Sequence, residues 1–274
     1  MTKVGFIGTG NMGGALAKAV AGAEKDYEIL LANRTREKAE ELASELGKGA
    51  VVTDNADIAA SADFIFLGVK PQMMAEMLDG IAPILKERKN KGESFTLITM
   101  AAGLTIERIG ELAKGDYSII RIMPNTPAKV GEAMVAMCRN DNVSDEIFDE
   151  ATEIFAGIGR AEHIDESLID CVIGVSGSSP AYTYMYIQAL IEAAAANGMD
   201  EQKARVFAAQ SVLGAARMVL ESSESVEQLR INVCSPNGTT IEAVDRLFAN
   251  GFMDDVKEGF QAAVDRSIEM GKEE

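Results

Sequence analysis

Six residues near the start, Gly8-Thr9-Gly10-Asn11-Met12-Gly13, form a GxGxxG directly behind the apolar run Lys3–Gly8 and ahead of a helical pattern. Each glycine has its own task. The first makes a tight turn, the second lets the main chain approach a pyrophosphate, and the third allows close helix–strand packing. The helix that follows offers free N–H groups and the positive end of its dipole to the anion. The pattern predicts dinucleotide binding; the bland alternative is a glycine-rich turn. About 20 residues further on, an NAD enzyme carries an acid that grips the ribose 2′-hydroxyl. Here the second apolar run ends Ala32-Asn33-Arg34-Thr35-Arg36, with no acid before Glu37. Arg34 can pair with a 2′-phosphate, and Asn33 and Thr35 can donate hydrogen bonds. NADPH is therefore expected over NADH, unless both arginines belong to a solvated helix start.

Five of the six prolines fall in four polar, glycine-containing stretches: 69–72 (VKPQ), 121–128 (RIMPNTPA), 176–182 (SGSSPAY) and 235–240 (SPNGTT). Proline fixes φ, so each stretch marks a rigid turn at an element boundary. Turns after strands of a doubly wound sheet face the ligand crevice, which places Lys70 and Asn125 beside the cofactor; either residue also suits a purely structural turn. Ser235–Thr240 reads as a loop entering a helix, where Thr239 or Thr240 could equally be a simple cap. No acid–base dyad is evident. His163 is the sole histidine and reads as structural, and Cys138, Cys171 and Cys234 form no CxxC pair, so no metal site is expected.

The elements that must position these residues alternate through the first half. Strands are expected at Lys3–Gly8, Glu28–Asn33, Val51–Val52, Phe64–Val69, Phe95–Met100 and Ser118–Met123. Helices are expected at Asn11–Gly22, Thr35–Leu46, 71–86 and 105–113. A return segment near 133–138, a helix near 144–157 and a short strand near 160–164 complete the pattern. This βαβ rhythm predicts a parallel, doubly wound sheet. From about Ser167 only helical windows remain, near 179–197, 201–221, 225–231, 239–249 and 252–270. The expected division is a nucleotide-binding domain over 1–164 and an all-helical one over 165–274. The alanines at 181, 189 and 193–196 suit close helix–helix approach at a buried interface, or simply high helix propensity.

Composition narrows the partners. A formal net charge of −17, from 43 acidic and 26 basic residues, repels nucleic acid and anionic membranes. No run approaches the roughly 18 apolar residues of a membrane span. Lys3 and the apolar stretch after it loosely mimic a signal peptide, but Gly8, Gly10, Asn11, Gly13 and Gly14 interrupt the helix such a signal needs. Widely spaced cysteines suit a reduced, cytoplasmic setting.

The glycine opening, VKPQ, MAAG at 100–103, RIMPNTPA, SGSSPAY and SPNGTT stand in the order typical of pyrroline-5-carboxylate reductases, and the chain resembles that family from residue 4 to about 245. The resemblance implies an N-terminal Rossmann domain followed by an all-helical dimerisation domain that interleaves with a partner, giving a homodimer or a decamer of dimers. It implies NADPH-dependent reduction of 1-pyrroline-5-carboxylate to L-proline. Cofactor contacts are implied at Ile7, Gly8, Thr9, Gly10, Asn11 and Met12, at Asn33 or Arg34, at Asn55, at Val69, Lys70 and Pro71, and at Ala102 and Asn232. Substrate contacts are implied at Gly238, Thr239 and Thr240, from the neighbouring subunit. Backbone N–H groups of Gly238 and Thr239 would hold the carboxylate, and Thr240 Oγ1 would hydrogen-bond the ring nitrogen as the nearest thing to a catalytic residue. Such chemistry relies on cofactor and positioning, which can supply ~7–11 kcal/mol of a barrier.

The chain departs from the family pattern where Ser179 replaces a glycine, where Asn237 replaces a glycine, and where Cys234 replaces a small hydroxyl residue. A usual acid before the last motif has only displaced counterparts, Glu224 or Glu227. Asn tolerates left-handed backbone geometry, so the loop is expected to keep its shape. Two rivals remain: another reductase of this architecture, acting on a β-hydroxyacid or using a deazaflavin, and a non-catalytic nucleotide-binding paralogue. A hydroxyacid enzyme would want a lysine proton donor in its helical half, where Lys203 is the sole one between 130 and 256.

Overall fold

The computed structural model describes residues 1–23, 25–47 and 49–273. Among these residues eight strands form one sheet: β1 (Thr2–Ile7), β2 (Tyr27–Ala32), β3 (Ala50–Val52), β4 (Phe64–Leu67), β5 (Thr96–Thr99), β6 (Ser118–Met123), β7 (Ala133–Arg139) and β8 (Gly159–His163). Their order is β3-β2-β1-β4-β5-β6-β7-β8. β1 to β6 are parallel, β7 returns antiparallel to β6 with Cys138 opposite Arg121, and β8 runs parallel to β7. The strand order reverses between β1 and β4, and that reversal opens a crevice at the carboxyl ends.

The helices between the strands are α1 (Asn11–Gly22), α2 (Arg36–Leu46), α3 (Asn55–Ser61), α4 (Met74–Asn90), α5 (Ile106–Leu112) and α6 (Asp145–Ala156). The central strands are apolar throughout because both faces are covered. In β4, Phe64 and Phe66 enter the core beneath α1, α2 and α6, while Ile65 and Leu67 enter the core beneath α3, α4 and α5. Phe66 stacks on Phe6 with ring centres 4.5 Å apart and meets Phe155 of α6 edge-on at 6.0 Å. Ser144 caps α6, its hydroxyl accepting from Ile147 N, and two acids follow in the first turn.

Two local expectations differ from what forms. The helix expected over 71–86 is a 3-10 turn, Pro71–Met73, followed by α4, which continues to Asn90. The extension is held by Arg88, whose guanidinium donates to the carbonyls of Ala59 (2.9 Å) and Ala62 (2.8 Å) and lies 4.7 Å over the Phe95 ring. The chain after β8, to which the pattern assigns no element before 179, is helical. A 3-10 turn (Glu166–Leu168), α7 (Ile169–Val172) and a π-helical turn (Ile173–Gly177) follow, and Ile169 is fully buried in the α3–α5 core.

That burial makes Met1–Gly177 one compact unit, joined by the chain from Ala263 onward, with Ser178–Ala262 as the other. The two units meet in sequence at Gly177/Ser178, after the short helices that follow β8. The helical half contains α8 (Ser179–Ala196), α9 (Glu201–Glu221), α10 (Val226–Val233), α11 (Thr239–Ala249) and α12 (Phe252–Glu273). Among its described residues up to Ala262 only Ala204 and Ala208 are fully buried in this single chain. Met185, Phe207 and Leu220 remain between 67% and 73% exposed.

Candidate active site

The crevice beside β1 is a cleft of about 970 Å³. Its floor depends on three glycines that cannot carry a side chain. A Cβ on Gly8 (φ +102°) would lie 2.6 Å from the Gly68 carbonyl oxygen, one on Gly68 would lie 2.4 Å from the Gly8 oxygen, and one on Gly13 would lie 2.2 Å from that same oxygen. Gly10 differs, since a Cβ there meets nothing within 4 Å. Gly10 is also the N-cap of α1, with no side-chain cap and no acid in the first turn. The first N–H groups of α1 therefore have no helical partner. Beside them, Thr9 Oγ1 is buried with no hydrogen-bond partner. Open space, free N–H groups and an orphaned hydroxyl together fit a pyrophosphate.

On the adjacent side, the β2–α2 loop lines the cleft with Asn33, Arg34, Thr35 and Arg36, followed by Lys38. Arg34 Nη1 lies 3.9 Å from Met73 Sδ, and Arg36 is tied to Glu40 at 2.9 Å. Asn33 lines the cleft and is also tied to its walls. Its Oδ1 accepts from Thr9 N (3.2 Å) and its Nδ2 donates to Thr35 O (2.9 Å), so its amide braces the glycine turn. Arg34 and Lys38 are exposed cations on this loop, and the guanidinium of Arg34, directly behind β2, suits a 2′-phosphate.

Of the expected cofactor residues, Ile7, Gly8, Gly10, Asn33, Arg34, Asn55, Val69 and Lys70 line this cleft. Thr9 is buried beneath it, Asn11 and Met12 begin α1, and Pro71 opens the turn after Lys70. Ala102, half-buried, follows β5 outside this lining. Asn125 does not line the cleft. It is buried just after β6, where Oδ1 accepts from Met134 N (3.0 Å) and Nδ2 donates to Ser176 O (3.1 Å), tying β7 to the π-helical turn. Gly68 and Met73 are cleft residues that sequence reasoning missed; a glycine directly behind the apolar β4 was the available signal.

In the helical unit, Gly238 is the N-cap of α11 and no side chain caps it. The capping reading of Thr239 and Thr240 is thereby overturned, because their positions begin the helix. Asn237 takes φ +57°, the left-handed geometry expected when it stands for glycine. The turn closes with Gly238 N donating to Ser235 O at 3.0 Å, and a Cβ on Gly238 would lie 2.3 Å from Ser235 Oγ. Nearby, Asn232 Nδ2 donates to Glu224 (3.0 Å) and its Oδ1 accepts from Gln228 (2.8 Å), which gives the displaced acid Glu224 a partner.

A family model described as pyrroline-5-carboxylate reductase dimerisation matches residues 166–270. The pyrroline-5-carboxylate reductase of Escherichia coli (strain K12) is 39% identical over 272 residues, covering 98% of both chains. The chain belongs to the pyrroline-5-carboxylate reductase family. Its members are NAD(P)-dependent oxidoreductases, and the likeness extends to three dimensions. A crystal structure of the Coxiella burnetii reductase superposes with a TM-score of 0.87 at 32% identity, and one of the Plasmodium falciparum enzyme with NADP bound with 0.86 at 31%, each covering 98% of both chains. A second family model, described as NADP oxidoreductase coenzyme F420-dependent, matches residues 3–92 only. That span is β1 to α4, the dinucleotide half of this reductase.

Proposed function

We propose that this chain reduces 1-pyrroline-5-carboxylate to L-proline with NADPH, the final step of proline synthesis. The observation that carries the reading is the pairing, in one chain, of an Arg34-marked dinucleotide cleft with an uncapped threonine loop at the start of α11. NADPH, when bound, supplies the hydride for the C=N bond. The chain's own residues bind and orient. N–H groups of α1 hold the pyrophosphate, and Arg34 neutralises the 2′-phosphate. The 2′-phosphate side lies over β2 and β3, so the nicotinamide half extends across β4 toward β5 and Ala102, about 14 Å away at three strand spacings. Gly238 N–H is taken by Ser235 O, so the free N–H of Thr239 and the dipole of α11 hold the substrate carboxylate beside Gly238. Thr240 Oγ1 hydrogen-bonds the ring nitrogen, and Asn232 completes the cofactor contacts.

The working form is a homo-oligomer, and a homodimer built on α8–α12 supplies the cover that the exposed side chains of those helices lack; five such dimers would make the decamer. A reducing cytoplasm suits three free cysteines. The hydroxyacid rival loses its donor, since Lys203 is exposed in the first turn of α9, its N–H bound to Asp200.

Thr240→Ala tests the assignment. Turnover is expected to fall about ten- to a hundredfold, the worth of one hydrogen bond to a charged ring nitrogen, with NADP+ affinity unchanged and Thr240→Ser largely restoring the rate. Wild-type turnover in Thr240→Ala would remove that hydroxyl from the chemistry.

A further inference from the structure

In the last turns of α12, Gly271 meets Gly103 of the loop after β5 main chain against main chain. A Cβ on Gly271 would lie 2.8 Å from the Gly103 carbonyl oxygen, and one on Gly103, at φ +81°, would lie 3.0 Å from Gly271 N. One turn earlier in α12, Ser267 is 4% exposed and its Oγ donates to Asp170 Oδ1 of α7 at 2.5 Å. The helix end is thus held at two points on the first unit. Ala101 and Leu104, buried at 3% and 2% exposure, pin the loop from below, and Ala102 and Gly103 are left half-buried between them. Contact between two backbones leaves no side chain to absorb a displacement, so the helix end sets the height of the loop.

We propose that the end of α12 is a brace that seats the nicotinamide half of the cofactor, with Gly271 as its positioning residue. The inference rests on the reading above, in which that half reaches Ala102. The carboxamide of the nicotinamide is a planar group with a donor and an acceptor, and a loop of fixed height offers it main-chain partners. The adenosine half, over β2 and β3, has no part in this contact.

The test separates the two halves by calorimetric titration of the full-length protein with NADP+ and with adenosine 2′,5′-bisphosphate, which lacks the nicotinamide. An alanine ordinarily favours a helix, yet Gly271→Ala must push the loop. NADP+ affinity is expected to fall about tenfold, the worth of one or two carboxamide hydrogen bonds, while the bisphosphate binds as in the wild type. If both ligands bind the variant as they bind the wild type, or both weaken equally, the brace does not act on the nicotinamide and the proposal is overturned. If neither ligand binds the wild type, the cleft itself has been misread and the proposal falls with it. Should Gly271→Ala fail to fold, Ser267→Ala loosens the same helix end without adding an atom, and the same split between the two ligands is required of it.

Discussion

At the scale of single residues, the site separates groups that touch ligand from groups that hold them in place. Arg34 is exposed in the cleft without a carboxylate partner among the described contacts, whereas Arg36 is occupied by Glu40. Arg34→Asp should lower kcat/KM for NADPH about ten- to a hundredfold, by losing a charge-assisted bond to the 2′-phosphate, and should raise it for NADH; measuring both cofactors decides it, and an unchanged ratio would contradict the assignment. Asn33 and Asn125 look alike in the sequence as polar residues after strands. Asn33 braces the glycine turn through Thr9 N and a local bond to Thr35 O, while the bracing by Asn125 could not be read locally, because it reaches a carbonyl 51 positions away. Cys138 carries a consequence for stability. Burial, with the Glu166 carboxylate adding to it and Arg121 opposing, pushes its thiol up to about 12 from an ordinary 9.0. Above pH 9 the unfolded chain releases this proton and the folded chain keeps it. This thiol's contribution to stability therefore falls as pH rises from 9 toward 12, by about 1.4 kcal/mol per unit. Denaturation midpoints of Cys138→Ala should show a shallower decline across that window.

At the scale of elements, the glycine turn, β1 and α1 work as one device with separable parts. Gly10→Ala adds a methyl to open space, the place proposed for the pyrophosphate, so it should leave the melting temperature near the wild-type value and weaken NADP+ binding. Gly13→Ala adds it 2.2 Å from the Gly8 carbonyl oxygen and should lower the melting temperature as well. Thermal melts with and without NADP+ distinguish the two, and equal behaviour would contradict the roles assigned here. These elements were legible in the sequence because their causes are local: apolar runs for strands, glycines for the turn, periodicity for helices. β6 forms at Ser118–Met123, the bounds expected of it. The failures have distant causes. The helix expected to end at 86 runs on to Asn90, and Arg88 is 6% exposed because carbonyls from the end of α3 receive it. The short helices after β8 place Ile169 in a core built from residues between Ile7 and Cys138, far outside any local window.

At the scale of the molecule, the two halves differ in what completes them. The sheet unit buries two cores of its own, while the helices between Ser178 and Ala262 leave large apolar side chains open in the single chain. Burying such surface is what drives association, and a partner copy is the cover for which that half is shaped. The return of the chain after Ala262 to the sheet unit could not be read from a periodic helical pattern, since periodicity shows a face and not its partner. The account as a whole is tested most directly by mixing the purified oligomer with NADPH and 1-pyrroline-5-carboxylate and following NADPH absorbance together with proline. It predicts NADPH loss that depends on the cyclic imine and matches proline formed one for one, with β-keto acids inert. No loss of NADPH, or equal loss with a β-keto acid, would contradict it.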